Sequence, residues 1–296
     1  VDPRILDRLR CPVCGEPLAE ATAGTARALR CPRRHSFDIA RQGYVNLLAG
    51  RAPHSGDTVE MVAARADFLA AGHYDVISAA LAAAATDAVG RLPATVRAEP
   101  TPDFEAYPLV VDAGAGTGRY LGAVLAALPD AVGLALDVSK PALRRAARAH
   151  PRAAAALADT WQRLPLADAS TAVLLNVFAP RNGAEFHRVL DPAGTLLVVT
   201  PDTDHLAELV AALDLLRVAP DKADRVTDSL GGHFTPVSSA VHRAELALTR
   251  PEAASLVGMG PSAWHTDPAA LAARLAALPE PVRVTVAVRV DGYRPR

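Results

Sequence analysis

The chain has 296 residues, 50% hydrophobic and 21% charged, with a formal net charge of −1. That is the make-up of a globular protein with room for one large domain or two modest ones, and its net charge gives by itself no sign of a polyanionic partner. No run of about 20 apolar residues lacks charges, so no membrane partner is expected, and Val1–Ile5 has no signal-peptide pattern, so a cytoplasmic location is expected.

Charge is unevenly spread. Residues 1–51 hold nine arginines, no lysine and five acids, so a basic head precedes an acidic body. That asymmetry suits a head that meets a polyanion. All three cysteines fall in this head, as Cys11-Pro-Val-Cys14 and Cys31, and His35 follows Cys31 by four residues. An odd cysteine count argues against a disulfide framework. Two ligand pairs on two tight knuckles suit a tetrahedral Zn²⁺ held by Cys11, Cys14, Cys31 and His35. Four protein ligands leave no open position, so this zinc is structural, and in so short a segment it supplies much of the folding free energy. Further on, Asp57 with Glu60 three residues later reads as the capped start of a helix. Its apolar face is Met61, Ala64, Phe68 and Leu69, and Gly72 stops it.

The zinc pattern runs into His35-Ser-Phe-Asp-Ile-Ala-Arg-Gln-Gly-Tyr-Val-Asn-Leu-Leu48 and then Met61-Val-Ala-Ala-Arg-Ala-Asp-Phe-Leu-Ala-Ala-Gly-His-Tyr74. These long motifs resemble the 23S rRNA guanine-N1 methyltransferase family. The resemblance implies a zinc-binding RNA-recognition head on a class I methyltransferase, with 23S rRNA as partner and a homodimer as assembly. Three parts are expected: residues 1–50 as the head, 51–108 as a helical connector and 109–296 as the methyltransferase.

Residues 75–92 read as a helix and 93–108, with four prolines, as a linker. Leu109-Val-Val111 reads as the end of a buried strand, Tyr120–Leu128 as an amphipathic helix, and Asp112-Ala-Gly-Ala-Gly-Thr-Gly118 lies between them. A strand, a glycine turn and a helix set backbone N–H groups around a cofactor. The third glycine comes one residue earlier than in a dinucleotide fingerprint. A second strand, Gly133–Asp137, ends in a carboxylate able to accept from two ribose hydroxyls. These residues resemble motifs I and II of the class I S-adenosylmethionine-dependent methyltransferases. The cofactor set read from motif and resemblance is Tyr74, Asp112, Gly114, Gly116, Thr117, Gly118, Asp137, Asp159, Asn176 and His205. Within it Asp159 ends a third strand and, in the general fold, meets the adenine amino group. Tyr74 and His205 enter through the family match alone.

After Asp137, Ser139 can cap a helix to about His150. Thr171–Pro180 reads as the fourth, fully buried strand, and its end is the substrate-facing position of the class. Asn176 could hydrogen-bond a base edge there and Phe178 could stack on a flipped base, although both also suit plain strand-end packing. A helix from Glu185 and a strand Thr195–Thr200 follow, residues 217–235 read as a polar segment, and His242–Thr249 and Val282–Val290 suit the last two strands. The alternation predicts an α/β fold, a Rossmann-like doubly wound sheet with the cofactor at the strands' carboxyl ends. Asn176–Asn182 and Met259–His265 look closest to the tylosin-resistance branch of the family. The implied reaction is methyl transfer from S-adenosylmethionine to N1 of a guanine in a 23S rRNA hairpin near the macrolide site. No residue identifies itself as the base that removes the N1 proton. A small-molecule methyltransferase and a non-catalytic zinc RNA-binding protein are the alternatives; the head disfavours the first, and the intact Asp112, Gly114, Gly116 and Asp137 the second.

Overall fold

A computed structural model describes residues 1–23, 26–50, 54, 56–93, 107–215, 229–260 and 267–296. Most of the expected linker, the polar stretch 217–228 and residues 261–265 of the Met259–His265 motif lie outside the described residues.

The head opens with one helical turn, α1 (Pro3–Leu6), and continues as an antiparallel sheet of β1 (Ala19–Ala23), β2 (Ala26–Arg30) and β3 (Ser36–Asp38). It has little interior of its own. Ile5, Leu9, Leu18 and Leu29 are buried in one cluster with Leu109, Val111, Leu164 and Leu166 of the body. Backbone bonds reinforce the seam, with the Arg10 N–H donating to the Pro165 carbonyl and the Ala167 N–H to the Arg8 carbonyl, both at 2.9 Å.

β4 (Tyr44–Asn46) pairs in parallel with β7 (Ala153–Leu157), so it belongs to the body sheet. The division expected at residue 50 therefore falls behind a strand that has already joined the body. α2 (Val59–Ala70) and α3 (Asp75–Gly90) follow. Thr58, not Asp57, caps α2, its hydroxyl accepting the Met61 N–H at 3.3 Å. Asp57 pairs instead with Arg65. Among the described residues no single helix is long and apolar enough to cross a membrane.

The body alternates β5 (Leu109–Ala113), α4 (Arg119–Ala127), β6 (Val132–Asp137), α5 (Lys140–Ala146), β7, β8 (Thr171–Val177), α6 (Gly183–Val189), β9 (Leu190–Pro201) and α7 (Ala207–Leu213). It closes with β10 (Phe234–Leu248), α8 (Arg250–Gly258), α9 (Pro268–Ala276) and β11 (Val282–Pro295). The eight-stranded order is β10-β11-β9-β8-β5-β6-β7-β4. The strands from β9 to β4 run parallel, β11 is antiparallel to β9, and β10 is antiparallel to β11. Parallel strands covered on both faces need apolar side chains throughout, and β5 and β8 are buried at every position. Val110, Val173 and Leu175 face a core with Phe68, Tyr74, Ile77 and Leu81 of the connector. Val111 and Leu174 face the core shared with the head. α4 buries Leu121, Val124 and Leu125 on one stripe, each worth about 1.5–3 kcal/mol of transfer free energy. Arg152 donates to the carbonyls of Leu125, Leu128 and Ala131, satisfying groups that the helix end leaves open.

Strand order reverses at β5, which pairs with β6 on one side and β8 on the other. A crevice opens beyond the carboxyl ends of strands at such a switch point.

Candidate active site and zinc centre

The crevice is a cavity of about 750 Å³, in the size range of small-ligand sites. Its floor is the turn after β5. Gly114, Gly116 and Gly118 all have left-handed backbones, at φ +86°, +53° and +78°. A Cβ on Gly114 would sit 2.4 Å from the Cβ of Ala179, so this close pass of two loops requires glycine. Gly118 serves packing instead, since its Cβ would strike α5 at Ala146.

Asp137 lines the cavity and accepts the N–H groups of Gly116 and Ser139, each at 2.8 Å. Burial raises its pKa, and the two backbone bonds oppose that. Asp159 also lines the cavity. One of its oxygens accepts the Trp161 N–H at 3.0 Å and the other meets His54 Nδ1 at 2.9 Å. Tyr74 and His205 also line the cavity, side by side, with 3.5 Å between the phenol oxygen and Nε2. The Ala287 N–H donates to His205 Nδ1 at 3.2 Å. Thr117 completes the expected residues that line the cavity.

Three expected residues do not line it. Gly118 is turned toward α5. Asp112 lies beneath the glycine turn, fully buried, and neither carboxylate oxygen has a partner among the described residues. Burial, with the nearby charge of Asp137, pushes its pKa up to about 8. Asn176 is likewise fully buried. Its amide donates to the Ala113 carbonyl at 3.1 Å and the Pro180 carbonyl at 2.8 Å. Both donors are thus spent inside the protein, tying the end of β5 to the loop after β8, while the amide oxygen is buried without a partner among the described residues.

Phe178, the other residue expected at the end of β8, is placed differently from Asn176. It lines the cavity, is 42% exposed, and has φ +52°, a left-handed backbone that bulky residues rarely adopt. Such strain, of order 1–3 kcal/mol, collects at functional positions. Sequence reasoning passed over His54, Arg65, Trp161 and Arg181, which also line the cavity. The Arg65 fork binds Asp57 and the Met259 carbonyl, so it ties α2 to the C-terminal end of α8 at the cavity wall. The one signal for Arg65 was its place within the Met61–Tyr74 motif.

In the head, the sulfurs of Cys11, Cys14 and Cys31 and a nitrogen of His35 lie within 4.8 Å of one another. Cys14 and Cys31 sulfurs are 3.7 Å apart, and His35 Nδ1 is 3.3 Å from Cys31 and 3.5 Å from Cys11. Tetrahedral zinc with bonds of about 2.3 Å sets two sulfurs about 3.7 Å apart. The cluster therefore fits one structural Zn²⁺ closed by four protein ligands.

Strand order with its antiparallel β11, the glycine floor at the switch point and the acid ending β6 define a class I methyltransferase. Its cavity has room for S-adenosylmethionine, with the Asp137 carboxylate on its wall and the buried Asp112 beneath the turn. The zinc-ribbon family model described as "RlmA, N-terminal" matches residues 9–55. A protein of Micromonospora griseorubida, named by inference a 23S rRNA (guanine-N(1)-)-methyltransferase, is 69% identical over 296 residues, covering 99% of both chains. The 23S rRNA (guanine(748)-N(1))-methyltransferase of Streptomyces fradiae is 50% identical over 287 residues, covering 97% of this chain and 96% of its own. The chain belongs to the 23S rRNA (guanine-N1)-methyltransferase family.

Proposed function

We propose that this enzyme methylates N1 of one guanine in a hairpin loop of domain II of 23S rRNA, beside the macrolide site, and so confers tylosin-type resistance. The observation that carries the substrate side is Phe178, an exposed aromatic held in a strained backbone directly beside the glycine floor. Small-molecule sites bury their aromatics; an exposed ring at the mouth suits a base swung out of an RNA loop. The likeness to the Streptomyces fradiae enzyme and the Asn176–Asn182 segment support the choice of hairpin, and the family resemblance supports a homodimer.

When bound, S-adenosylmethionine supplies an activated methyl group for in-line transfer to a nucleophilic nitrogen. Asp137 holds the ribose hydroxyls, and Asp159, supported by His54, lies at the adenine end. Phe178 stacks on the flipped guanine and excludes water from one face of it. The alignment of the two reactants is the protein's main contribution. The head, residues 1–50, grips the RNA backbone through exposed arginines, among them Arg27, Arg30, Arg33, Arg34 and Arg41.

Transfer of label from methyl-labelled cofactor tests this. Incorporation into protein-free 23S rRNA supports the proposal. Label that enters only small molecules favours a small-molecule enzyme, and no transfer at all, with RNA still bound, favours a non-catalytic binder.

A further inference from the structure

Three arginines line the cavity, and two are engaged. Arg65 binds Asp57 and the Met259 carbonyl, and Arg119 binds Asp75 at 2.7 Å. Arg181 makes no hydrogen bond or ion pair among the described residues, and burial lowers its pKa. The neighbouring Tyr293 phenol opposes that shift, but its own pKa is raised by burial, so it carries no charge at pH 7. Arg181 is half-buried, and its donors, spent on no protein group among the described residues, are available to a ligand in the cavity.

The backbone around Arg181 is clamped on both sides. Upstream, the Asn176 amide holds the Pro180 carbonyl at 2.8 Å, the Phe178 N–H donates to the Val199 carbonyl at 3.2 Å, and Ala179 packs on Gly114. Downstream, Asn182 caps α6 by accepting the Glu185 N–H at 3.3 Å and donates to the Trp161 carbonyl at 3.2 Å. One rigid loop thus delivers Phe178 and Arg181 to the same cleft. Arg65 lies nearer the cofactor floor, its guanidinium 3.5 Å from where a Cβ on Gly116 would be.

We propose that Arg181 is the residue that reads the target base, its fork donating to O6 and N7 of the guanine that Phe178 stacks on. This rests on the guanine-N1 reading of the site. Two adjacent acceptors on guanine match two parallel guanidinium donors, whereas adenine presents an amino donor in place of O6. The same contact serves the reaction. When N1 gives up its proton to solvent, the negative charge is shared with O6, and a cation there favours the anion whose N1 is nucleophilic. Arg181 is thus a specificity-determining residue for the family reaction.

The test compares guanosine with 7-deazaguanosine, which lacks the N7 acceptor, at the target position of a synthetic domain II hairpin. Wild type, Arg181→Gln and Arg181→Lys are measured for kcat/KM, and calorimetry gives the S-adenosylmethionine Kd of each. Wild type is expected to lose on the order of tenfold on the 7-deaza hairpin. Arg181→Gln is expected to be slower on guanosine, to lose nothing further on the 7-deaza hairpin, and to bind cofactor within about twofold of wild type, which also shows that it folds. A 7-deaza penalty that persists in Arg181→Gln, or is absent from wild type, overturns the proposal. So does a tenfold weaker cofactor Kd, which would make Arg181 a carboxylate ligand. Full rescue by Arg181→Lys on both hairpins would make it a phosphate contact and also overturn it. A wild-type enzyme that leaves the guanosine hairpin unmethylated removes the guanine-N1 reading itself.

Discussion

Replacing Asp112 by asparagine isolates the contribution of one buried acid, beneath the glycine turn, to the pH dependence of folding. Asp112 is fully buried and neither oxygen has a partner among the described residues. Burial and the nearby Asp137 charge raise its pKa from 3.8 to about 8. The folded carboxyl holds its proton up to about pH 8, whereas the unfolded one releases it near pH 4. Unfolding in that window releases a proton, so stability falls as pH rises through it and levels off above pH 8. Each pH unit costs about 1.4 kcal/mol, and the whole window about 6 kcal/mol. Asp112→Asn keeps the shape and removes the titration. Its Tm advantage over wild type should grow by roughly 3 °C per pH unit from pH 5 to pH 8. Thermal unfolding of the cofactor-free proteins across pH 5–9 measures it. Parallel Tm–pH curves would refute the placement of an unpartnered titrating acid under the glycine turn.

Zinc analysis of purified protein should find one ion per chain; Cys14→Ser should lose it and loosen the head while cofactor affinity changes little, and zinc-free protein that is folded and active would contradict the Cys11-Cys14-Cys31-His35 assignment. Asp137→Ala should weaken S-adenosylmethionine binding by about 1–3 kcal/mol in calorimetry, the usual loss of a charged buried acceptor, and equal affinities would remove Asp137 from the site. RNA affinity should fall steeply with salt, and replacing Arg33 and Arg34 together should shallow that dependence; a salt-insensitive complex would show that phosphates do not dominate.

The parts legible in the sequence are those where chemistry fixes spacing. Metal ligation ties Cys11, Cys14, Cys31 and His35 to two knuckles. A turn that must pass within a methyl group of another loop ties Gly114 to its place. The parts that were not legible depend on tertiary placement. β8 is buried on both faces, so no alternation tells which way Asn176 points, and it points inward. β4 has three residues and pairs with β7 more than a hundred positions away, too short a run for a pattern. Arg65, Trp161 and Arg181 come from separate segments that meet only at the cavity. Asp57 looked like a helix cap because its neighbour Thr58 takes that role one residue later, while its own carboxylate turns to Arg65 eight residues on.

The central claim is the reacting atom. Treating 23S rRNA with enzyme and S-adenosylmethionine, then extending a primer across domain II, reads it directly. A methyl on N1 removes a Watson–Crick donor and adds bulk, so reverse transcriptase should stop one nucleotide before a single hairpin guanine, and nucleoside mass analysis should find 1-methylguanosine. Read-through of the hairpin with label on N7 or a ribose, which leave base pairing intact, would contradict the account.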